Sequence, residues 1–159
     1  MQNKLDKIDL AMLTELQRDA RISNVELADK VGLSASACSR RLDQLEQRQI
    51  IEKYQAVISN EALGQTITSI VHITLDGQSE HHLRAFEQAV ASCPHIVACF
   101  LMSGECDYIV RVNAKDMSEF EHIHKNWLSV LPGVSRIQSS FAMREVINRA
   151  NIDIASLHK

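Results

Sequence analysis

Apolar positions in the first sixty residues recur at helical spacing. Leu5, Ile8, Met12, Leu13 and Leu16 fall at i, i+3, i+7, i+8 and i+11, which predicts one helix with a single buried face. Asp19-Ala20-Arg21 interrupts the stripe. Ser23 with Glu26 three residues on reads as a capping box, and Leu27, Ala28 and Val31 form the apolar face of a second helix. Gly32 supplies a residue able to take positive φ, so the second helix ends there. Ser34 caps a third helix whose inward face is Cys38, Leu42 and Leu45, with Ala35 one turn earlier. Past Gln49 the pattern turns extended over Ile50–Ile58, and Ser59–Gly64 reads as a linker.

The remaining chain alternates strand and helix. Ile67–Leu75 is β-branched, with Ile67, Val71, Ile73 and Leu75 on one face. Ser79 caps a helix with the stripe Leu83, Phe86, Val90, which ends before Pro94. Strands follow at Ile96–Ser103 and Asp107–Val112, separated by Gly104-Glu105-Cys106. Asp116 and Glu119 occupy capping-box positions for a further helix, with Met117, Phe120, Ile123, Trp127, Leu128 and Leu131 inward, stopped by Pro132-Gly133. Val134–Ile147 reads as one long strand. At an offset of 38 residues Val90, Pro94 and Ile96 match Leu128, Pro132 and Val134. Two strand–helix–strand halves predict a ferredoxin-like βαββαβ sheet with helices on one face. The expected class is therefore α+β. The expected organisation is a helical domain over 1–60, a ferredoxin-like domain over 61–150 and a loosely held tail over 151–159. The reading of the first as a winged-type helix-turn-helix domain, and of the second as a ligand-binding and oligomerisation domain, rests on a family resemblance. The uncovered sheet face calls for a cover, and a second copy of the chain is the simplest one.

Composition changes this picture little. Of 159 residues, 45% are apolar, enough for packed cores, and the net charge is −3. Residues 1–60 carry nine basic and nine acidic side chains, so the excess acid lies in the second half. Only local clustering of charge bears on nucleic acid, and Ser34–Leu42 holds Arg40 and Arg41 with no acid. No apolar run approaches the roughly 18 residues of a membrane span, and the first residues lack a signal-peptide core, which predicts a cytoplasmic protein. Cys38, Cys93, Cys99 and Cys106 show neither CxxC nor zinc-finger spacing and are expected as reduced thiols. An oxidant-sensing role for Cys99 and Cys106 would need a lowered thiol pKa. His81-His82 and His122-x-His124 lack the i, i+4 spacing of helical metal ligands, so no metal and no cofactor is expected.

The segment Ser23–Leu45 carries the chemistry. Two short helices meet at a glycine turn, and the second opens with Ser34-Ala35-Ser36-Ala37 before Ser39, Arg40 and Arg41. In a helix-turn-helix such a helix lies in the major groove, small polar residues allow close approach, and arginine can pair with guanine. Candidate DNA contacts are Ser23, Asn24, Ser34, Ser36, Ala37, Ser39, Arg40 and Arg41. Periodicity alone fits an ordinary three-helix bundle equally well.

The run Leu5-Asp6-x-Ile8-Asp9, then Leu16-Gln17-x-Asp19-Ala20-Arg21-Ile22-Ser23-Asn24-Val25-Glu26-Leu27-Ala28, then Val31-Gly32-Leu33-Ser34 and Arg40-Arg41 resembles the N-terminal signature of the Lrp/AsnC family, the leucine-responsive and feast/famine regulators. Ser103-Gly104-Glu105-Cys106-Asp107-Tyr108 and Leu131-Pro132-Gly133-Val134 resemble that family's effector domain. The resemblance implies a transcriptional regulator, not an enzyme, that binds operator half-sites in double-stranded DNA. It implies a homodimer that assembles to tetramer or octamer and answers to a small amino-acid effector. It places effector contacts at Gly104, Glu105, Asp107 and Tyr108 and at Ser139 and Ser140, with Asp107 pairing an α-ammonium and the serines a carboxylate. Asp107 as a plain turn residue stays open. Where the family has glycine after the third helix, this chain has Gln49. A non-glycine residue in that left-handed cap costs roughly 1 kcal/mol. A dimeric ferredoxin-like small enzyme and a stand-alone amino-acid sensor remain as alternative functions.

Overall fold

The computed structural model describes residues 5–149 together with 153 and 154. They form two compact units. One runs to Val57, and the described residues from Ile147 onward group with it; the other is Ile58–Val146. Of the expected tail, Asp153 and Ile154 alone are described, and Ile154 N–H donates to Gln17 Oε1 at 3.3 Å.

The first unit is three helices, α1 (Lys7–Arg18), α2 (Asn24–Val31) and α3 (Ala35–Gln47). Each begins at a side-chain cap. Asp6 accepts from Ile8 and Asp9 N–H, Ser23 from Glu26 N–H and Ser34 from Ala37 N–H. The core is Met12, Leu27, Ala28, Cys38 and Leu45, joined by half-buried Ile8, Leu16, Val31 and Leu42. Deleting one such buried side chain costs about 2–5 kcal/mol, so the three stripes hold one another in place. Ala35, expected inward, is exposed. It opens α3, one residue past the cap and ahead of the first buried position, Cys38.

Helices α2 and α3 end in the same motif. After α2, Gly32 takes φ +70°, its N–H donates to Asp29 O, and Leu33 N–H donates to Ala28 O. After α3, Gln49 takes φ +54°, its N–H donates to Glu46 O, and Ile50 N–H donates to Leu45 O. These are paired Schellman closures, and Ile50 packs back on the core that holds Leu45. The left-handed cap expected of Gln49 is present.

The second unit is a four-stranded antiparallel sheet of β1 (Ile67–Leu75), β2 (Ile96–Leu101), β3 (Tyr108–Ala114) and β4 (Val134–Phe141), in the order β2-β3-β1-β4. Helices α4 (Glu80–Ala91) and α5 (Met117–Ile123) pack on one face. Alternation puts Val71, Ile73, Leu75, Tyr108, Val110 and Val112 against the helices, all buried. Residues between them, among them Ile70, His72, Ile109 and Arg111, point to the other face and are half-buried. That uncovered face is mixed rather than apolar.

Several boundaries depart from the sequence pattern: β2 ends at Leu101 rather than Ser103, β3 runs Tyr108–Ala114 rather than Asp107–Val112, and residues 50–58 form no strand. The strand expected to run to Ile147 ends at Phe141, because beyond Ala142 N–H, which donates to Thr68 O, β1 offers no further partner. The helix expected to run on from α5 passes into a π-helical turn, His124–Leu128, closed by Ser129 N–H on His124 O. The extra residue slips the helical phase. Four positions after Ile123 stands Trp127, yet the fully buried residue is Leu128. Met117, expected inward, is 53% exposed because it opens the helix, one turn ahead of Phe120.

Candidate nucleic-acid interface and effector site

On α3 the inward positions Cys38 and Leu45 leave Ser36, Ser39 and Arg40 on the opposite, exposed side at i, i+3 and i+4. Asp43 lies on the same side one turn on. Among the described residues Arg40 has no ion-pair partner in the structure, so its guanidinium is presented to solvent with two hydroxyls one turn away. Ser34 Oγ lies 3.3 Å from Ser36 Oγ and also accepts from Ala37 N–H. Ala37 itself is half-buried at the flank of this face.

The other candidates are already engaged. Ser23 Oγ donates to Glu26 Oε2 and accepts from Glu26 N–H, completing the reciprocal cap of α2. That hydroxyl and its neighbouring backbone donors hold the Glu26 carboxyl below its usual range. Asn24 Nδ2 donates to Ala35 O at 2.8 Å and so ties the start of α2 to the start of α3. Arg41 is engaged within the unit. Its Nη1 sits 2.8 Å from Asp6 Oδ2 and 2.8 Å from Asp9 Oδ1, both at the start of α1. The group expected to reach DNA is turned toward a neighbouring helix, because Arg41 lies about 100° round the axis from Arg40. Sequence reasoning had not singled out Asp6 or Asp9; the Asp6-x-x-Asp9 spacing signals a capping box but not its cation.

The six effector candidates do not converge within one protomer. Gly104 and Glu105 lie exposed in the β2–β3 connection, where a Cβ on Gly104 would meet nothing within 4 Å. Asp107 is buried, at 7% exposure, and both carboxylate oxygens are engaged. Oδ2 accepts from Leu75 N–H and Oδ1 from Gln78 Nε2, each at 2.7 Å. The carboxylate expected to meet an ammonium instead ties this connection to the end of β1. Tyr108 is in the core, its ring 4.3 Å from that of Phe86 and its hydroxyl donating to Glu87 Oε1 at 2.8 Å. Burial and the Glu87 carboxylate raise its pKa above the ordinary phenol range. Ser139 pairs with Val71 and faces the helices; Ser140 pairs with Ile70 and faces the uncovered side. Their side chains leave the sheet on opposite faces. Strand β4 also lies two strands from β3, about 10 Å away.

Ser139 does line a groove of about 640 Å³ between α5 and β4, with Phe120, Glu121, His124 and Phe141. Cys99 lines a second groove at the β2 edge, and burial with the nearby Glu87 carboxylate raises its thiol pKa. That shift is opposite to what an oxidant sensor needs. Among the described residues no group of His, Cys, Asp and Glu is placed to hold a metal ion, and no helix is long and apolar enough to cross a membrane.

Comparison with known proteins gives these sites a context. Residues 5–46 match the AsnC-type helix-turn-helix domain, and residues 68–152 match the Lrp/AsnC ligand binding domain. The Bkd operon transcriptional regulator of Pseudomonas aeruginosa is 37% identical over 147 residues, covering 92% of this chain and 96% of its own. The leucine-responsive regulatory protein of Escherichia coli is 37% identical over 142 residues, covering 89% and 87%. A transcriptional regulator from Neisseria meningitidis, solved as a complex with L-Met, superposes with a TM-score of 0.90 at 32% identity, covering 97% of this chain and 99% of its own. These relatives are regulators, which decides against the small-enzyme reading. The chain belongs to the Lrp/AsnC family of transcriptional regulators, with a helix-turn-helix unit for DNA followed by a ligand-binding unit.

Proposed function

We propose that this regulator reads double-stranded operator DNA through the outward face of α3, with Ser36, Ser39 and Arg40 as the side chains that reach the duplex. The observation that carries the reading is the exposed Arg40 guanidinium beside two small hydroxyl residues, with Asp43 one turn on. Small side chains let the helix approach base edges, and arginine supplies a bidentate donor for guanine. The helix N-termini at Ser23 and Ser34 add backbone donors for phosphate, so those two residues act through their caps. Asn24 and Ala37 shape the edge of that face.

The second unit senses a small amino acid. The likeness to a regulator holding L-Met supports an apolar amino acid as the first to test. The exposed Gly104-Glu105 connection supplies contacts from one protomer, held in shape by Asp107. Tyr108 stands behind it as core. Ser139 and Ser140 belong to surfaces that a second protomer completes. The protein forms a homodimer that assembles to a tetramer or octamer. Two sheet edges, at β2 and β4, are open, and Phe100, Leu101, Met143 and Val146 are exposed. As a DNA-binding regulator it works in the cytoplasm.

The test is selection of duplexes from a random-sequence library by the full chain, followed by thermal-shift measurement with each of the twenty amino acids. Recovery of a consensus with two half-sites about one helical turn apart is expected. No enrichment at low salt, with or without amino acids, would refute the DNA reading. No thermal shift with any amino acid would refute the sensing one.

A further inference from the structure

The two consecutive arginines of α3 do different work. We infer that Arg41 is a positioning residue for DNA recognition, and that Asp6 and Asp9, two acids on α1, belong to the recognition apparatus by holding it. The inference rests on the reading that the outward face of α3 binds DNA.

Four carboxylate oxygens converge on this corner, and each has a partner. Asp6 Oδ1 accepts from Ile8 N–H at 2.9 Å and Asp9 N–H at 2.8 Å, and Asp9 Oδ2 accepts from Asp6 N–H at 3.1 Å. The remaining two oxygens, Asp6 Oδ2 and Asp9 Oδ1, are both taken by Arg41 Nη1. The Asp9 side chain is only 9% exposed, that of Arg41 29% and that of Asp6 51%, so Asp9 is the partner that water cannot readily replace. Without the guanidinium, two carboxylates would face each other at the start of one helix, one of them buried. The backbone donor of Asp9 and then Arg41 hold the Asp6 carboxyl below its usual range.

The geometric consequence falls on α3. Packing of Cys38 and Leu45 sets which side of the helix turns inward. A guanidinium held by two oxygens of a second helix further limits small rotations about that position. With Arg41 directed to α1, Arg40 must point about 100° away, out of the bundle. Asn24 Nδ2 on Ala35 O fixes the start of the same helix. Arg40 and the serines are thereby presented in one orientation.

This reading makes a prediction of unusual sign. Neutralising Asp9 makes the unit more positive, and if Arg41 were a phosphate contact restrained by Asp9, Asp9→Asn would tighten DNA binding. As a clamp, Asp9→Asn weakens binding to the selected sequence instead.

The experiment uses the full chain, the duplex recovered by selection with the unaltered protein, and a scrambled duplex of equal length. Affinities are measured from about 50 to 200 mM salt, the range over which phosphate contacts register. Arg40→Gln is expected to weaken binding to the selected duplex about tenfold or more and to relax specificity at the guanine it reads. Arg41→Gln and Asp9→Asn are each expected to weaken binding to the selected duplex on the order of tenfold, the lower part of the range for one lost base contact. Neither should change the salt slope or affinity for the scrambled duplex. A protein merely less folded would lose both duplexes together, and thermal unfolding of the same samples checks this. If Arg41→Gln does not fold, the sign for Asp9→Asn decides alone. Tighter binding by Asp9→Asn, or a salt slope lowered by about one per subunit in Arg41→Gln, the mark of a lost phosphate contact, would overturn the inference. Recovery of no duplex by the unaltered chain would overturn the DNA reading itself, and this inference with it.

Discussion

Gln49→Gly should stabilise the first unit. Gln49 holds φ +54° in a closure that α2 builds on Gly32 at φ +70°. An L-residue in the left-handed region is disfavoured by roughly 1–2 kcal/mol. Glycine removes that strain but adds freedom to the unfolded chain, at about 0.5–1 kcal/mol. The Gln49 side chain is exposed, so truncation removes no packing. The net gain is about 0.5–1 kcal/mol. For a unit of this size, 1 kcal/mol shifts the midpoint by roughly 4–8 °C, so an increase of about 2–8 °C is expected. Gly32→Ala is the mirror experiment. A Cβ there meets nothing within 4 Å, so the cost is backbone strain alone, and a decrease of similar size should follow. Calorimetry of the full chain at fixed protein and salt concentration reads both, with Gly32→Ala marking the transition of the first unit. A midpoint for Gln49→Gly equal to or below that of the unaltered chain, while Gly32→Ala falls, would refute the strain argument at Gln49.

Asp107→Ala strands the buried Leu75 N–H and should destabilise the second unit by about 1–3 kcal/mol, read from the calorimetric transition that Gly32→Ala leaves in place. An unchanged midpoint with amino-acid binding abolished would instead return Asp107 to the ligand. Both tyrosines of the chain are held protonated. Burial, with Glu46 as hydrogen-bond acceptor, pushes Tyr54 up to about 12, and Tyr108 is raised further. A folded pKa above the unfolded value of about 10 means stability present below pH 10 and lost as pH rises toward 12. Ultraviolet titration should therefore show the ionisation of buried Tyr108 coinciding with unfolding, with half-exposed Tyr54 titrating ahead of it; both tyrosines titrating near pH 10 in the folded chain would contradict these environments.

Much of the fold is written in short-range chemistry. Ser23, Ser34, Ser79 and Asp116 start helices where the sequence places them, because a side-chain oxygen and the N–H three residues on are neighbours in any chain. Gly32 and Gln49 take the positive φ expected of them for the same local reason. The strict alternation of β1 and β3 records which face is buried. The outward face of α3 follows from its inward one. Even the opposite facing of Ser139 and Ser140 was implicit in a repeat of two, although the expectation had put both on one ligand.

Tertiary structure decided which polar groups were free. Helical phase turns Arg40 outward and Arg41 toward the flank of α3, but what Arg41 meets there, Asp6 and Asp9, lies more than thirty residues away. Asp107 looks like an available carboxylate until the end of β1 delivers Leu75 N–H and Gln78 to it. Strand β4 ends at Phe141 rather than Ile147 because a strand lasts only as long as its neighbour. Caps, stripes and turns depend on atoms a few residues apart and so are determined by the sequence itself. Partners for a buried charge or an edge strand depend on what folding brings alongside, and an unpaired polar group is costly enough that this choice fixes which residues remain to meet a ligand.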